Sequence, residues 1–255
     1  MADITPEANH AGEQVEMNFF DHLGELRTRL LWAVLGLVIG CIIAGIFTDE
    51  LLTILLQPAV DANLELQNLA PMGQIFLLFK VILISGIIIS SPWILYQLWR
   101  FIAPGLYEHE RAWARRITFF TSLCFLAGVA FSYFVMIPSS MKFAASTGFK
   151  DIKNSFDINL YFGFITTFIL AMGLVFELPM IAYVLAKMGI LTSEFMRKYR
   201  RHGFIIILIV AAIATPTPDP VNQLIFAVPL WILYEISVWI VRVTQKPKEI
   251  RTAGV

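Results

Sequence analysis

Charge is scarce in this sequence. Asp, Glu, Lys and Arg make up 15% of its 255 residues, where an average soluble domain carries about 25%. The charge present also balances, 19 basic side chains against 19 acidic ones, so there is no basic excess to hold a nucleic acid. Cysteine is nearly absent. Cys41 and Cys124 each sit inside an apolar run and in no ligand-like spacing, which argues against a disulfide framework or cysteine metal site and leaves two small buried hydrophobes. No G-x-x-x-x-G-K-[ST] loop is present to cradle a nucleotide phosphate. His109-Glu110 opens like H-E-x-x-H, but position 113 is Trp113, so no zinc pair forms on that helical face. A G-x-S-x-G elbow is missing as well. The expectation is a protein that is not an enzyme, with no catalytic residue, no metal and no cofactor.

What the sequence has in excess is apolar surface: 58% of residues are hydrophobic and the mean hydropathy is +0.72. A hydrocarbon core of about 30 Å takes about 20 apolar helical residues to cross. Five runs meet or approach that length: 30–47, 75–98, 117–137, 160–186 and 224–241. A sixth, 204–214, has 11 residues before the Thr215-Pro216-Thr217-Pro218-Asp219-Pro220 break and reaches only about 16 Å as a helix. We read it as a short fifth span where the bilayer is thinned. The first run starts too late, follows an acidic segment and lacks an A-x-A site, so it is not read as a cleaved signal sequence. The expected fold class is an all-α polytopic membrane protein with six transmembrane helices, the fifth and sixth short.

Orientation follows from the connecting segments. Those on one side hold fourteen Lys and Arg and those on the other hold three, which makes the rich side cytoplasmic and puts both termini there. Trp32, Trp99, Trp113 and Trp239 fall near that side, as an interfacial aromatic belt requires. The two halves do not match in span length, proline position or polar placement, which counts against an inverted-repeat transporter.

Four ionisable residues fall in or at the edges of spans: Lys80, Glu177, Lys187 and Glu235. Lys187, at a cytoplasmic end, and Lys80, about 8 Å from an outer end, are placed to snorkel. Glu235 lies about two turns from Arg242 and carries no functional expectation. Glu177 is about 15 Å deep. A carboxyl there needs a protein interior, a partner or a proton, and its plain structural use would be to fasten two helices. On the cytoplasmic side, Phe19, Leu23, Leu26 and Leu30 recur at helical steps and give an amphipathic surface helix. Its Glu25 makes either an i,i+4 pair with Arg29 or a site for a cation. Residues 99–111 turn at Pro104-Gly105 and return with acidic side chains, Glu110 among them. Acidic groups within Arg-dominated segments suit a cationic ligand, and a peptide bearing arginines fits carboxylates with paired hydrogen bonds.

Four motifs then fall in register on the six runs. They are F-x-x-H-L-G-E-L-R-x-R over Phe19–Arg29, Y-Q-x-W-x-F-x-x-P-G-L-x-x-x-E-R over Tyr96–Arg111, F-E-L-P over Phe176–Pro179 and T-P-T-P-D over Thr215–Asp219. Together they resemble the TatC family, the core receptor of the twin-arginine protein translocase, from about Asn18 to Arg242. The resemblance implies a glove-shaped bundle that binds twin-arginine signal peptides of folded precursors, with export driven by the proton gradient across a bacterial inner membrane. It implies that Glu25 and Glu110 receive the signal's arginines, with Arg27 and Phe101 in the same surface. Glu177 would project into a concave membrane face, and Pro58 would shape the first external loop. It further implies the single-span partners TatB, docking at the fifth span, and TatA, contact with membrane lipid, and self-assembly into a multimeric complex.

Three regions result: an acidic, poorly structured cytoplasmic N-terminus (1–17), the six-span membrane domain (18–242) and a cytoplasmic tail (243–255). Two rival functions stay open on sequence. One is a proton-coupled small-solute transporter using Glu177; the other is an assembly scaffold without peptide specificity.

Overall fold

The computed structural model describes residues 19–102, 111–146, 155–214 and 220–245. The first span is α1 (Phe19–Ile46), whose 28 residues extend about 42 Å. The shorter α2 (Thr48–Asp61) and a strand, β1 (Glu65–Gln67), lead to the second span, α3 (Gly73–Ile102). The third is a composite of α4 (Arg111–Phe131), a π-helical turn (Ser132–Met136) and α5 (Ile137–Ser146). Pro138 has no N–H for the carbonyl four residues back, and the ladder shifts there so that Ile137 N–H bonds the Ser132 carbonyl.

Strand β2 (Ser155–Asp157) precedes a broken fourth span, α6 (Ile158–Val175) and α7 (Leu178–Lys187). Asp157 caps α6, its Oδ1 accepting from the backbone N–H of Asn159 at 2.6 Å and Leu160 at 3.2 Å. Gly189, at φ +73°, takes the left-handed position just past α7 that a residue with a Cβ resists. After α8 (Ser193–Lys198) come α9 (Arg200–Ala214) and α10 (Pro220–Thr244).

Among the described residues, five helical segments are long and apolar enough to cross a membrane. With α9 between the last two, the six expected spans are accounted for. The 15 residues of α9 make about 22 Å, short of a hydrocarbon core. Helix α10 has 25 residues, 22 of them in a stretch apolar enough to cross a membrane, so α9 is the shorter of the last two.

The helical class carries one small addition. Strands β1 and β2 pair in parallel through Glu65 with Ser155, Leu66 with Phe156 and Gln67 with Asp157. This ladder ties the connection before α3 to the connection before α6, two segments that the Lys and Arg counts assign to the same side.

Helix α6 is the centre of the core. Phe162, Ile165, Phe168, Ile169 and Met172 are buried against Val81 and Ile84 of α3, Met136 of the π turn and Phe226 of α10. Phe168 meets Phe226 edge-on with centroids 4.1 Å apart, a favoured aromatic geometry. Helix α1 by contrast leaves most of its surface to lipid and packs on α3 through glycines. A Cβ on Gly40 would stand 2.6 Å from the Gly86 carbonyl, and one on Gly86 would stand 2.5 Å from Cys41 Sγ. The two backbones approach as small residues allow in membranes, and Trp93 Nε1 donates across the seam to the Trp32 carbonyl at 2.8 Å.

Candidate functional site

The N-terminal turns of α1 carry the first group of expected residues. Arg29 wraps back onto Glu25, its Nη2 at 3.0 Å and Nε at 3.3 Å from the same carboxylate oxygen, Oε1. Both side chains are partly buried, 19% exposed for Arg29 and 23% for Glu25. Of the two readings of Glu25, the i,i+4 pair is therefore present, and it leaves Oε2 without a hydrogen bond among the described residues. Arg27 is exposed. Phe101 is half-buried in the last turn of α3, while Glu110 lies outside the described residues.

The end of α3 is anchored by a residue the sequence reading misassigned. Trp99 is not part of an interfacial belt: it is 6% exposed and packs with Ile117 of α4 and Val184 of α7. Trp32 and Trp239, at 48% and 65% exposed, do face outward, and the Trp113 side chain lies outside the description. Hydropathy cannot tell which face of α3 a tryptophan occupies, and three-helix packing decides it. Gln97, two residues earlier, is 3% exposed. Gln97 Oε1 and Trp99 Nε1 are both buried without a hydrogen bond among the described residues, a few positions before Phe101. On another face of the same turns, Arg100 lies 5.9 Å from the Tyr96 ring centroid and donates to its hydroxyl at 3.3 Å.

Glu177 sits at the break between α6 and α7. The Phe176 N–H bonds the Met172 carbonyl at 2.9 Å and the Glu177 N–H bonds the Leu174 carbonyl at 3.1 Å, so the chain turns tightly here. Pro179 has no N–H to continue the ladder. The Glu177 side chain is 5% exposed, and its Oε1 has no hydrogen-bond partner among the described residues. Among the described residues no basic side chain pairs with it. The side chain is thus largely buried against the bundle.

Lys80 does not snorkel. Its Nζ donates to the Asn159 carbonyl at 2.9 Å, tying α3 to the first turn of α6. Glu235 forms an ion pair with Arg200, joining α10 to the start of α9.

Pro58 lies buried inside α2. Its missing N–H would leave the Ile54 carbonyl, four residues earlier, without a partner. The Tyr133 hydroxyl, from the π turn, donates to that carbonyl at 2.7 Å. The Tyr161 hydroxyl of α6 donates to the next one, Leu55, at 2.9 Å. Two tyrosines from two spans therefore hold α2 in place. Sequence inspection missed both, because each partner is far away in the chain. No three His, Cys, Asp or Glu residues come together as metal ligands among the described residues.

These elements define a multi-pass helical membrane protein. Among the described residues, its expected site residues stand near the start of α1, at the end of α3, inside α2 and at the α6–α7 break. The chain belongs to the TatC family: the family model described as "Sec-independent protein translocase protein (TatC)" matches residues 21–229. It is 38% identical over 237 residues to the Sec-independent protein translocase protein TatC of Carboxydothermus hydrogenoformans, covering 93% of this chain and 97% of that one. It is 36% identical over 242 residues to the protein of the same description from Aquifex aeolicus, covering 93% of this chain and all of that one (100%). A crystal structure described as the twin arginine translocase receptor TatC superposes with a TM-score of 0.79 at 36% identity, over 88% of this chain and 99% of that one. The family is one of protein-transport components and not of enzymes, and it gives no support to the solute-transporter alternative.

Proposed function

We propose that this protein is the receptor and core component of a twin-arginine translocase and binds the twin-arginine signal peptides of folded precursors. Glu25 and Glu110 take the signal's arginines, and Arg27 and Phe101 lie in the same recognition surface. The supporting observation is the Glu25–Arg29 contact. Both guanidinium bonds fall on one carboxylate oxygen, so a preformed arginine–carboxylate geometry keeps Oε2 for a second guanidinium. A carboxylate offers about four lone-pair sites, and a charge-assisted bond to one contributes about 1.5–3 kcal/mol.

In this reading the α1 and α10 termini face the cytoplasm of a bacterial inner membrane; the pairing of β1 with β2 supports it by joining the two connections that this topology puts on the other side. Residues 1–17 and 243–255 flank the membrane domain, 18–242, in the chain, and of these flanking residues only 243–245 are described. The single-span subunit TatB docks at α9, TatA joins the same complex, several copies of this chain assemble, and the proton gradient drives export. Glu177 serves as an uncharged polar group within the fourth span, and Pro58 sets the shape of α2.

Site-specific photo-crosslinking tests the reading. A crosslinker at Thr28, one turn from Glu25, is expected to capture an Arg-Arg signal peptide and to lose it with Lys-Lys or with Glu25→Ala plus Glu110→Ala. Equal capture of both peptides, unaffected by the two substitutions, would contradict it.

A further inference from the structure

The densest cluster of positive charge in the described residues serves neither Glu25 nor Glu177. Arg197, Lys198, Arg200 and Arg201 fall within five consecutive positions at the α8–α9 junction, and all are exposed. Arg200 is engaged by Glu235. Arg197, Lys198 and Arg201 make no ion pair among the described residues, and Glu194, the other described acid of this corner, is exposed on α8. Arg242 in the last turn of α10 adds a fifth cation.

The height of this cluster along the bundle identifies its surroundings. Gly203 approaches Tyr234, and Phe204 meets Trp231 at 5.3 Å between centroids. Gln223 Nε2 bonds the Leu208 carbonyl at 3.1 Å. The order of these pairs makes α9 antiparallel to α10, with Arg200 level with Glu235. Nine residues of α10 continue beyond that level to Thr244, about 14 Å. Helix α8 lies along this stretch: the Tyr234 hydroxyl bonds the Met196 carbonyl at 2.7 Å, and the Ser193 hydroxyl bonds Gln245 Oε1 at 3.0 Å. Yet α10 is still apolar here. Its candidate span reaches Thr244, and Ile236, Trp239 and Val243 are exposed.

The cations therefore lie at the height of lipid-facing side chains and not beyond them. Between them stand the exposed aromatics Phe195 and Tyr199, 4.6 Å apart, residue types that favour the boundary between headgroups and acyl chains. A soluble acidic partner would meet cations set out in water. Basic side chains interleaved with exposed aromatics, beside an apolar helix face, fit the phosphates of the bilayer's own lipids.

We infer that the α8–α9 corner, through Arg197, Lys198 and Arg201 flanked by Phe195 and Tyr199, is a binding surface for the headgroups of anionic phospholipids. The guanidinium groups bind phosphate oxygens, the aromatic pair lies against the glycerol and upper acyl region, and Glu235 keeps Arg200 fixed as the support of the corner.

The test uses the full chain in vesicles of mixed phosphatidylcholine and phosphatidylglycerol, with each lipid spin-labelled in turn. The fraction of label motionally restricted by the protein gives the relative affinity. The wild type is expected to prefer phosphatidylglycerol by about fivefold at low salt, and Arg197→Gln/Lys198→Gln/Arg201→Gln to fall below about twofold. Arg197→Lys/Arg201→Lys should keep most of the preference, and Lys142→Gln, an exposed lysine on the opposite side, should keep all of it. Circular dichroism and melting curves verify that each variant is folded. No lipid preference in the wild type, or an unchanged preference in the triple variant, would overturn the inference. So would release of the labelled lipid by millimolar inorganic phosphate at constant ionic strength, which would mark a site for the free ion. Loss of precursor export by the triple variant with its lipid preference intact would likewise overturn it in favour of a protein partner.

Discussion

The Tyr133 hydroxyl donates to the Ile54 carbonyl at 2.7 Å, and Ile54 is the residue whose helical partner would be the missing N–H of Pro58. The bond substitutes a side chain from another span for the amide that proline lacks. Tyr133→Phe is expected to destabilise the protein by about 0.5–1.5 kcal/mol. In a Pro58→Ala background the new amide can reach Ile54, so the same substitution should cost measurably less. Thermal unfolding of the four variants in detergent gives the coupling, and equal costs in both backgrounds would show that the two residues act independently.

The α1–α3 seam makes a second prediction. Gly40→Ala puts a methyl 2.6 Å from the Gly86 carbonyl, a backbone atom that cannot swing aside. The expected loss is about 1–3 kcal/mol, with α1 becoming more accessible to protease. Gly24→Ala, in the same helix with nothing within 4 Å, should be neutral or stabilising by up to about 1 kcal/mol. Melting temperatures of the two variants should therefore move apart.

Burial separates two tryptophans that look alike in sequence. Trp99→Ala empties a site 6% exposed between α3, α4 and α7 and is expected to cost about 3–5 kcal/mol. Trp239→Ala, at a site 65% exposed, should change stability by far less. Trp99→Phe keeps most of the packing and removes the unsatisfied N–H, so it should be tolerated much better than Ala. A melting series of the three checks the order.

Glu177 is 5% exposed and faces no basic partner among the described residues. A buried charge without a counter-ion costs several kcal/mol, so an uncharged polar group suits the site. Glu177→Gln is expected to support export equal to wild type. Complete loss of export by a Glu177→Gln protein that folds and inserts normally would show that the ionisable proton is required.

The spans were legible because a long apolar run has few other uses. Short elements were not. Strands of three residues and the six-residue α8 are fixed by partners elsewhere in the chain, not by their own periodicity. The same limit applied at the site. Glu177 was legible as a residue of the fourth apolar run, but its burial depends on which way the α6–α7 break turns. Lys80 looked free to snorkel because its acceptor, the Asn159 carbonyl, lies 79 residues away. The resemblance singled out Pro58, but its reason lies in Tyr133 and Tyr161, which no local pattern connects to it. Glu25 was the reverse case: its partner Arg29 is one helical turn away, and the pair was readable in advance.

On the proposed reading, Glu25 of α1 and Glu110, which lies between α3 and α4 in the chain, receive the two arginines of a signal peptide. The most direct measurement is the affinity of a labelled Arg-Arg signal peptide for the purified protein in nanodiscs, compared with Glu25→Ala. Loss of one charge-assisted contact of about 1.5–3 kcal/mol predicts weakening by about 10- to 150-fold, and a Lys-Lys peptide should be nearly insensitive to the substitution. Equal affinity of Arg-Arg for wild type and Glu25→Ala would contradict the account.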